Sequence, residues 1–272
     1  MTNDVLKYGL QGNVKSVTEV DYSNFGKYTS IMKFDENGMI QTQSSFNPDG
    51  SLIKRWQYEY NSQLQKIKRY CYVLNDSLSG IVHYNYSSTN QVIEEFFFGD
   101  KGNLISRTKN KYDNYKNLTE TISADKDSAI LVSVICKYDA SNKLIEEVHF
   151  DSIMHKKWKQ IYTYNSDGLN TEILFQSLDG VNIKKSTYSY LSNKLVGVFC
   201  QFNNKNQLVL KTTYEYNDKK NFTRKQVVDY LNKTDQIHTY VYKCDKHENW
   251  VFRYEYINNK IEDVISRTFE YY

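Results

Sequence analysis

The sequence predicts an all-β protein, built as a meander of about twenty antiparallel strands. Three observations indicate this fold class: an aromatic residue that recurs every 26 positions, turn-forming residues at fixed places after it, and a composition with 25 tyrosines but one proline. Aromatic side chains pack well on the pleated surface of a sheet, whereas proline interrupts strand pairing. With 40% hydrophobic and 25% charged residues, the composition is that of a globular protein.

The recurring aromatic residue, called the anchor below, defines the repeat. Stepping by 26 from Tyr8 to Tyr242 meets tyrosine or phenylalanine each time, without an insertion or deletion. Aromatic residues also recur two positions before many anchors, and this period-two spacing is typical of a strand with both rings on one face. The anchors are Tyr8, Phe34, Tyr60, Tyr86, Tyr112, Tyr138, Tyr164, Tyr190, Tyr216 and Tyr242.

Each anchor is followed by a tight turn and then by a second strand. Segments 35–38 and 165–168 hold Asn, Asp and Gly, which tolerate positive φ or bond to their own backbone in hairpin turns. Alternating residues then mark the second strand, as in 144–150, and a second turn such as 47–50 closes the period. Each 26-residue repeat therefore holds two strands and two turns.

We expect one repeat-array domain over 1–272, with ten repeats anchored from Tyr8 to Tyr242 and an irregular C-terminal cap at 243–272. A single flat layer would leave the aromatic face in water, so the sheet must coil, close or pack on itself. A long meander also turns strongly, because neighbouring strands are rotated by about 20–25°. We predict a coiled or partly closed superhelical sheet. A sandwich in which the sheet packs on itself is the alternative.

The anchor and its turn resemble a known repeat. The units at 34–40 (FDENGMI), 138–144 (YDASNKL) and 164–169 (YNSDGL) are similar to the YD repeat of the RHS/teneurin superfamily, Tyr-Asp-x-x-Gly-x-Leu. The resemblance runs from Tyr8 to Tyr242, and there is a looser similarity to MORN-like repeat proteins, some of them antitoxins. It implies a spiralling antiparallel sheet, and similar repeats are often described as carbohydrate-binding. The longer period and the lack of the family's self-cleaving core and toxin tip argue against a toxin carrier.

A glutamate ladder is the clearest candidate for a binding site. Counting alternate residues places it on the face that carries the rings. Carboxylates beside an aromatic platform are typical of carbohydrate sites, and Trp158 supplies a further ring. The alternative is that each glutamate accepts a hydrogen bond from a neighbouring tyrosine hydroxyl or small polar group, for structural reasons. The ladder consists of Glu94, Glu120, Glu146 and Glu172, in one phase of four consecutive repeats.

The hairpin register implied by the turns sets Gln160 opposite Glu146 and Lys159 opposite Glu147. Lys159 belongs to a basic stripe on the face opposite the rings, which we interpret either as one half of cross-strand ion pairs or as a polyanion-binding surface. A net charge of +3 argues against a polyanion-binding surface and against a nucleic-acid partner. The stripe consists of Arg55, Arg107, Lys159, Lys185 and Lys211.

The sequence shows no pattern of a metal, cofactor or catalytic site. The cysteines and histidines lack metal-ligand spacing, and no nucleophile elbow, P-loop or dinucleotide fingerprint occurs, so we expect no metal, no cofactor and no catalytic residue. The cysteines, expected as free thiols, are Cys71, Cys136, Cys200 and Cys244. No apolar run is long enough for a membrane-spanning helix. The first residues lack a signal-peptide pattern, so we expect a cytoplasmic protein, or one at the cell surface or in the periplasm if a leader was removed.

The sequence therefore predicts a non-catalytic binding or scaffold protein, whose ligand is a glycan or another protein. An immunity- or antitoxin-type protein that binds a toxin is the alternative, and a carbohydrate-active enzyme is a further one. Two neighbouring ladder glutamates would stand about 10 Å apart, slightly beyond the carboxylate separations used in glycoside hydrolysis. An open, wet aromatic face favours ligand binding, whereas a packed face leaves recognition to the opposite face and the turns.

Overall fold

The structure, a computed structural model, describes residues 3–23 and 26–272 and confirms the all-β class. The described residues form twenty strands and one helix of four residues, α1 (Asp4–Lys7). Contacts divide the chain into two compact units: unit 1 holds Met1–Ile105 and Tyr240–Tyr272, and unit 2 holds Ser106–Thr239. Within the described ranges, no helix has the length and hydropathy needed to cross a membrane.

The strands follow the repeat, two to a period. The strands of unit 1 are β1 (Val14–Ser23), β2 (Gly26–Phe34), β3 (Ile40–Phe46), β4 (Leu52–Tyr60), β5 (Lys66–Val73), β6 (Ser77–Tyr86), β7 (Val92–Gly99), β19 (Trp250–Ile257) and β20 (Lys260–Tyr271). Those that lie mostly or wholly in unit 2 are β8 (Leu104–Tyr112), β9 (Leu118–Asp125), β10 (Ile130–Tyr138), β11 (Leu144–Asp151), β12 (Lys156–Tyr164), β13 (Asn170–Gln176), β14 (Asn182–Tyr190), β15 (Val196–Phe202), β16 (Leu208–Tyr216), β17 (Phe222–Asp229) and β18 (Thr234–Cys244).

Strand pairing within each unit follows the predicted antiparallel meander. In unit 1, β1 to β7 pair in succession and β19 pairs with β20. In unit 2, β8 to β18 pair in succession. The first strand also pairs with the last, so that Val17 of β1 faces Phe269 of β20. The expected coiled or partly closed superhelical sheet is therefore wrong, because such a sheet leaves its first and last strands as free edges.

A β-bulge lies beside the anchor in repeat after repeat. In the β10–β11 hairpin, Lys137 faces Glu146 but Tyr138 faces Leu144, so Ile145 is an extra residue on β11. Because of this extra residue, each following side chain of β11 points to the face opposite the one that simple alternation would give it. We call the face that carries the anchors the anchor face. The same shift occurs beside the anchors Phe34, Tyr60, Tyr86, Tyr112, Tyr164, Tyr190 and Tyr216.

The anchor hydroxyls bind carbonyl groups at these bulges. Tyr138 donates to the carbonyl O of Leu118, the residue that faces the preceding anchor Tyr112, over 3.0 Å. A bulge interrupts the ladder of backbone hydrogen bonds, and the hydroxyl supplies a donor at that point. This explains why the repeated residue is tyrosine. Equivalent bonds of 2.5–2.9 Å join Tyr60 to Ile40, Tyr86 to Lys66, Tyr164 to Leu144, Tyr190 to Asn170 and Tyr216 to Val196.

The residue that follows the anchor holds the turn, as the sequence predicts. Oδ1 of Asp139 accepts hydrogen bonds from the backbone N–H groups of Ser141 (2.8 Å) and Lys143 (2.9 Å). Between them, Asn142 has a φ of 59°, a left-handed conformation that Asn and Gly adopt readily. The Tyr-Asp pattern thus combines two structural roles, one at a bulge and one at a turn.

The two ends of the chain depart from the repeat. Tyr8, expected as the first anchor, lies at the C-cap of α1, outside the strands, and is 46% exposed. Near the other end, β18 continues past Tyr242 to Cys244, and Asp245 takes the turn-capping place by accepting from two backbone N–H groups. Two residues are thereby added after the last anchor. The segment expected as an irregular cap, 243–272, contains the regular strands β19 and β20.

The fully buried apolar core lies in unit 1. It consists of Val5, Leu10, Val14, Val17, Phe34, Ile40 and Tyr58, so α1 and the segment after it pack against the first strands. Full burial of such a side chain contributes roughly 1.5–3 kcal/mol. Unit 2, all of whose residues are described, fully buries none of its apolar side chains, and its anchor tyrosines are half-buried. The anchor face of unit 2 is therefore open to solvent.

Candidate ligand-binding site

The glutamate ladder lies on the face opposite the anchors, so the face predicted for it is wrong. Glu146 faces Lys137, whose side chain points away from that of the neighbouring anchor Tyr138. Counting alternate residues failed because the bulge adds one residue between the anchor and the glutamate. The same place after a bulge is held by Glu94, Glu120 and Glu172.

Each ladder glutamate has a polar neighbour on this opposite face. Lysines pair with three of them, Lys111 with Glu120, Lys137 with Glu146 (2.6 Å) and Lys185 with Glu172 (3.9 Å). Nδ2 of Asn85 donates to Glu94 over 3.4 Å. Each exposed pair of this kind contributes roughly 0–1 kcal/mol to the free energy of unfolding. The structure therefore does not bring the ladder together with the aromatic rings, and a ligand role for these four residues stays a prediction.

The predicted hairpin register is also displaced by one residue. Lys159 faces Val148 and Gln160 faces Glu147, so the expected pairs of Lys159 with Glu147 and of Gln160 with Glu146 do not form. One carboxylate does lie on the anchor face, because Glu147 is the residue that follows the ladder position. It comes to lie among aromatic and polar side chains of β11 and β12.

The structure groups a different set of side chains around Trp158, the aromatic residue that the sequence singled out. His149 of β11 faces Trp158 of β12, and the two rings stack with centroids 4.9 Å apart and planes 3° apart. Gln160 faces Phe175 of β13, which in turn faces Lys184 of β14. Four consecutive strands thus present these side chains next to one another on the anchor face.

Trp158, Phe175 and Lys184 line an open pocket of ≈ 680 Å³ in unit 2, which we call the Trp158 pocket. Sites for small molecules have volumes of roughly 300–1,000 Å³ and combine apolar surface with a few polar groups. The ammonium of Lys184 lies 4.2 Å from the centre of the Phe175 ring. The other lining residues are Met154, His155, Lys156, Lys157 and Ile183, so no acidic side chain lines the pocket.

A hydrogen-bond network beside the pocket orients His149. The Tyr162 hydroxyl donates to Oε2 of Glu147 over 2.5 Å, and Nε2 of His149 lies 3.3 Å from the same oxygen. Nε2 of Gln160 is 2.9 Å from Nε2 of His149. The imidazole can therefore donate to the carboxylate when Nε2 carries a proton, or accept from the amide when it does not. Burial and the hydrogen bond to Glu147 raise the pKa of Tyr162, so its hydroxyl remains a donor.

Cys136 lies at the edge of this network, with Sγ 4.0 Å from Oε1 of Glu147. Burial and the negative charge of Glu147 raise the pKa of the Cys136 thiol. A nucleophilic cysteine needs the opposite shift, because the thiolate is the reactive form. Among residues 3–23 and 26–272, no group of histidine, cysteine, aspartate and glutamate side chains is arranged to hold a metal ion.

Two further pockets lie in unit 1. One, of ≈ 510 Å³, contains Arg55 of the predicted basic stripe, but this guanidinium binds Asp76 over 2.9 Å and covers the ring of Tyr72. The other, of ≈ 460 Å³, lies beside α1 and is lined by Tyr60 and Lys66, which belong to the repeat structure described above. The Trp158 pocket differs from both in presenting two aromatic rings outside the anchor series, Trp158 and Phe175.

Sequence reasoning identified Trp158 but missed His149, Phe175 and Lys184. Their signal is present in the spacing, since residues of adjacent strands that face each other share a face of the sheet. The face of each residue can be predicted correctly only when the alternation of side chains is counted from the bulge and not from the anchor. His149, considered alone, lacked any metal-ligand spacing and was therefore not selected.

Comparison with family models and with curated proteins finds no match. Among solved structures, the complex TcdB2-TccC3-Cdc42 is similar with a TM-score of 0.41 and 9% identity over 85% of this chain. This chain spans 15% of that chain. A porin-like protein from Bacteroides uniformis is similar with a TM-score of 0.37 and 10% identity, over 96% of this chain and 98% of the other. A porin-like protein from Bacteroides vulgatus gives a TM-score of 0.36 and 12% identity, with coverages of 95% and 98%.

These likenesses assign neither a family nor an activity, because none of the TM-scores reaches 0.5. The β-hairpin repeat itself is shown by the strand pairing of this chain. Membership of the RHS/teneurin superfamily stays a prediction from the Tyr-Asp pattern.

Proposed function

We propose that this chain is a non-catalytic binding protein whose ligand, a glycan, occupies the Trp158 pocket. The observation that carries the proposal is a pair of aromatic side chains, Trp158 and Phe175, held half-buried on the wall of an open pocket. Rings that served only to stabilise the fold would be expected to lie against other apolar side chains. Here unit 2 leaves its anchor face in contact with water.

The groups around the rings suit a sugar. The apolar face of a pyranose ring packs against an aromatic ring, while its hydroxyls need hydrogen-bond donors and acceptors at the edges. The amide of Gln160 and the imidazole of His149 lie beside Trp158 on the same face, and Lys184 adds three donors beyond Phe175. The imidazole stacks on one face of the indole, and the indole also lines the open pocket, where a ligand can contact it.

Several features support binding without chemistry. The Cys136 thiol is held protonated, and His149 is engaged by Glu147 and Gln160 instead of by a nucleophile. A glycosidase requires two carboxyl groups on either side of one bond. The ladder glutamates lie on the face opposite the pocket, so they do not supply such a pair to a ligand there.

A protein partner is a second candidate function, favoured by exposed apolar side chains in the turns at the end of unit 2 where the pocket lies. Ile153 and Met154, in the turn between β11 and β12, are 71% and 64% exposed, and Val181, before β14, is 61% exposed. Exposed apolar clusters commonly mark protein-binding surfaces. An immunity-type complex would use this surface in addition to, or in place of, the pocket.

The test is a titration of the full chain with a panel of defined oligosaccharides, read by isothermal titration calorimetry so that the signal does not depend on Trp158 itself. We expect binding by wild type and a loss of at least about tenfold in affinity for Trp158→Ala, since a central aromatic contact dominates such a site. Tyr115→Ala is the matched control, because Tyr115 is an exposed aromatic residue of unit 2 in the turn before β9. Equal affinity of Trp158→Ala and wild type would contradict the proposed site.

A further inference from the structure

We infer that the ligand of the Trp158 pocket is an acidic saccharide, whose carboxylate or sulfate group is bound by Lys184. This inference rests on the proposed function and specifies the ligand class of the same site. It follows from the distribution of charge around the pocket.

Basic side chains lie on both sides of the aromatic platform. Lys184 lies on the anchor face beside Phe175, Lys156 lies at the rim two residues before Trp158, and His155 also lines the pocket. Lys157 faces Phe150 on the opposite face and lies over that ring, so its charge is not directed at the platform. In the part of the chain that the structure describes, neither Lys184 nor Lys156 has a carboxylate within ion-pair distance. The pocket therefore carries positive charge that the protein does not neutralise.

The acidic residue that faces the rim lysine Lys156 is Asp151, and its carboxylate is engaged by its own turn. Asp151 faces Lys156 across the β11–β12 hairpin, but its Oδ1 accepts a hydrogen bond from the backbone N–H of Met154 over 2.8 Å. It forms no ion pair with Lys156 within the described residues. Asp151 thus reduces the positive charge beside Lys156, but it lies on β11, three strands away from Lys184 on β14.

Lys184 and its neighbour Lys185 show the contrast most clearly. Lys185 points to the opposite face and lies 3.9 Å from the Glu172 carboxylate. Lys184 points to the anchor face, where its ammonium lies over the Phe175 ring, an arrangement in which an ammonium stays available to a second, anionic partner. Other lysines of unit 2, such as Lys137, also have glutamate partners on the opposite face. An unpaired lysine beside an aromatic platform is the combination that an acidic sugar requires.

A saccharide explains the pocket better than an acidic peptide does. The platform offers flat aromatic surface to a ring, and Gln160 and His149 place polar groups beside it on the same face. A peptide strand would instead be expected to bind an exposed sheet edge, and the strands of unit 2 are paired in succession. Acidic peptide therefore enters the test as a competing ligand.

The experiment measures binding of the full chain to oligogalacturonate, hyaluronan and polysialic acid oligomers, each beside its carboxyl methyl ester. Sulfated and unsulfated chondroitin oligomers distinguish sulfate from carboxylate. At least one acidic oligomer is expected to bind about tenfold or more tightly than its neutral counterpart, with an affinity that falls as salt rises. Lys184→Gln is expected to remove most of this preference, Lys184→Arg to keep it, and Lys185→Gln to leave it unchanged.

The outcomes separate the inference from the function on which it rests. Equal binding of acid and ester, abolished by Trp158→Ala, would overturn the acidic ligand and keep a glycan-binding site. Binding of poly-glutamate but of no saccharide would overturn both, as would the absence of binding to every oligomer. Unchanged preference in a folded Lys184→Gln variant would also overturn the inference, because another group would then bind the anion.

Discussion

The hydroxyl of Tyr138 donates a 3.0 Å hydrogen bond to the carbonyl O of Leu118, at the bulge of the preceding repeat. This contact joins two consecutive repeats through one side chain. We expect Tyr138→Phe to lower the free energy of unfolding by roughly 0.5–1.5 kcal/mol, because the bond is lost while the ring contacts remain. Urea unfolding followed by circular dichroism measures the change. The control is Tyr115→Phe, which changes an exposed turn residue in the same unit and should leave the free energy of unfolding unaltered. If Tyr138→Phe were as stable as wild type, water would be satisfying the Leu118 carbonyl in place of the hydroxyl.

Much of this architecture can be predicted from the sequence, because the repeat makes each local signal recur. The anchors, the Asp or Asn that caps the following turn, and the two strands per period all arise from interactions within about 26 residues. The pairing of β1 with β20 joins residues that are far apart in sequence, such as Val17 and Phe269. No local sequence pattern predicts this pairing. The helix α1 has four residues, too few for a helical period to be visible.

The site was harder to predict than the fold, for one physical reason. A single extra residue at each bulge reverses which face the following residues take, so Glu146 and Glu147 exchange faces relative to simple alternation. No particular residue type marks these bulges in the sequence. The error moved the predicted carboxylates to the wrong face, whereas Trp158, on the strand after the hairpin turn, was unaffected.

Close packing between β6 and β7 makes Gly80 a sensitive position. A Cβ at Gly80 would lie 2.4 Å from the carbonyl O of Phe98 and 2.5 Å from the Phe97 ring, so backbone of the next strand would have to move. We expect Gly80→Ala to lower the free energy of unfolding by about 1–3 kcal/mol, because the added methyl group overpacks this site. Chemical denaturation at equilibrium measures this loss.

Gly197 provides the matched control for Gly80. Its Cβ would meet Cδ2 of Leu191 at 2.9 Å, which is the end of a flexible, 41% exposed side chain that can rotate away. Gly197→Ala should therefore change the free energy of unfolding by less than about 1 kcal/mol, in either direction. A larger loss at Gly197 than at Gly80 would contradict the assigned packing.

The ion pair between Lys137 and Glu146 should contribute little to stability. Nζ and Oε1 are 2.6 Å apart, but the lysine is largely exposed, so water and salt screen the attraction. A double-mutant cycle with Lys137→Met and Glu146→Gln is expected to give a coupling energy of about 0.2–1 kcal/mol that shrinks as salt is added. A coupling of several kcal/mol would indicate that the ladder is desolvated and would reopen a functional role for it.

Acid should weaken unit 1 through Asp4, the buried carboxylate of α1. Burial raises its pKa, but hydrogen bonds from the Ile40 N–H (3.0 Å) and the Lys7 ammonium (3.1 Å), with the charges of Lys7 and Lys66, outweigh burial and hold the pKa below 3.8. Because the folded pKa lies below the unfolded one, the stabilisation is present above about pH 4 and disappears as pH falls through the folded pKa.

The corresponding measurement is the stability difference between wild type and Asp4→Asn as a function of pH. Wild type should be the more stable at neutral pH, and the difference should shrink on acidification, since both chains then carry a neutral side chain at this position. Asp127→Asn, which changes an exposed turn carboxylate that contacts Lys126, should show a much smaller difference at every pH. If the Asp4→Asn difference were independent of pH, the ionised carboxylate would not be the stabilising form, and α1 would be held to the sheet by packing alone.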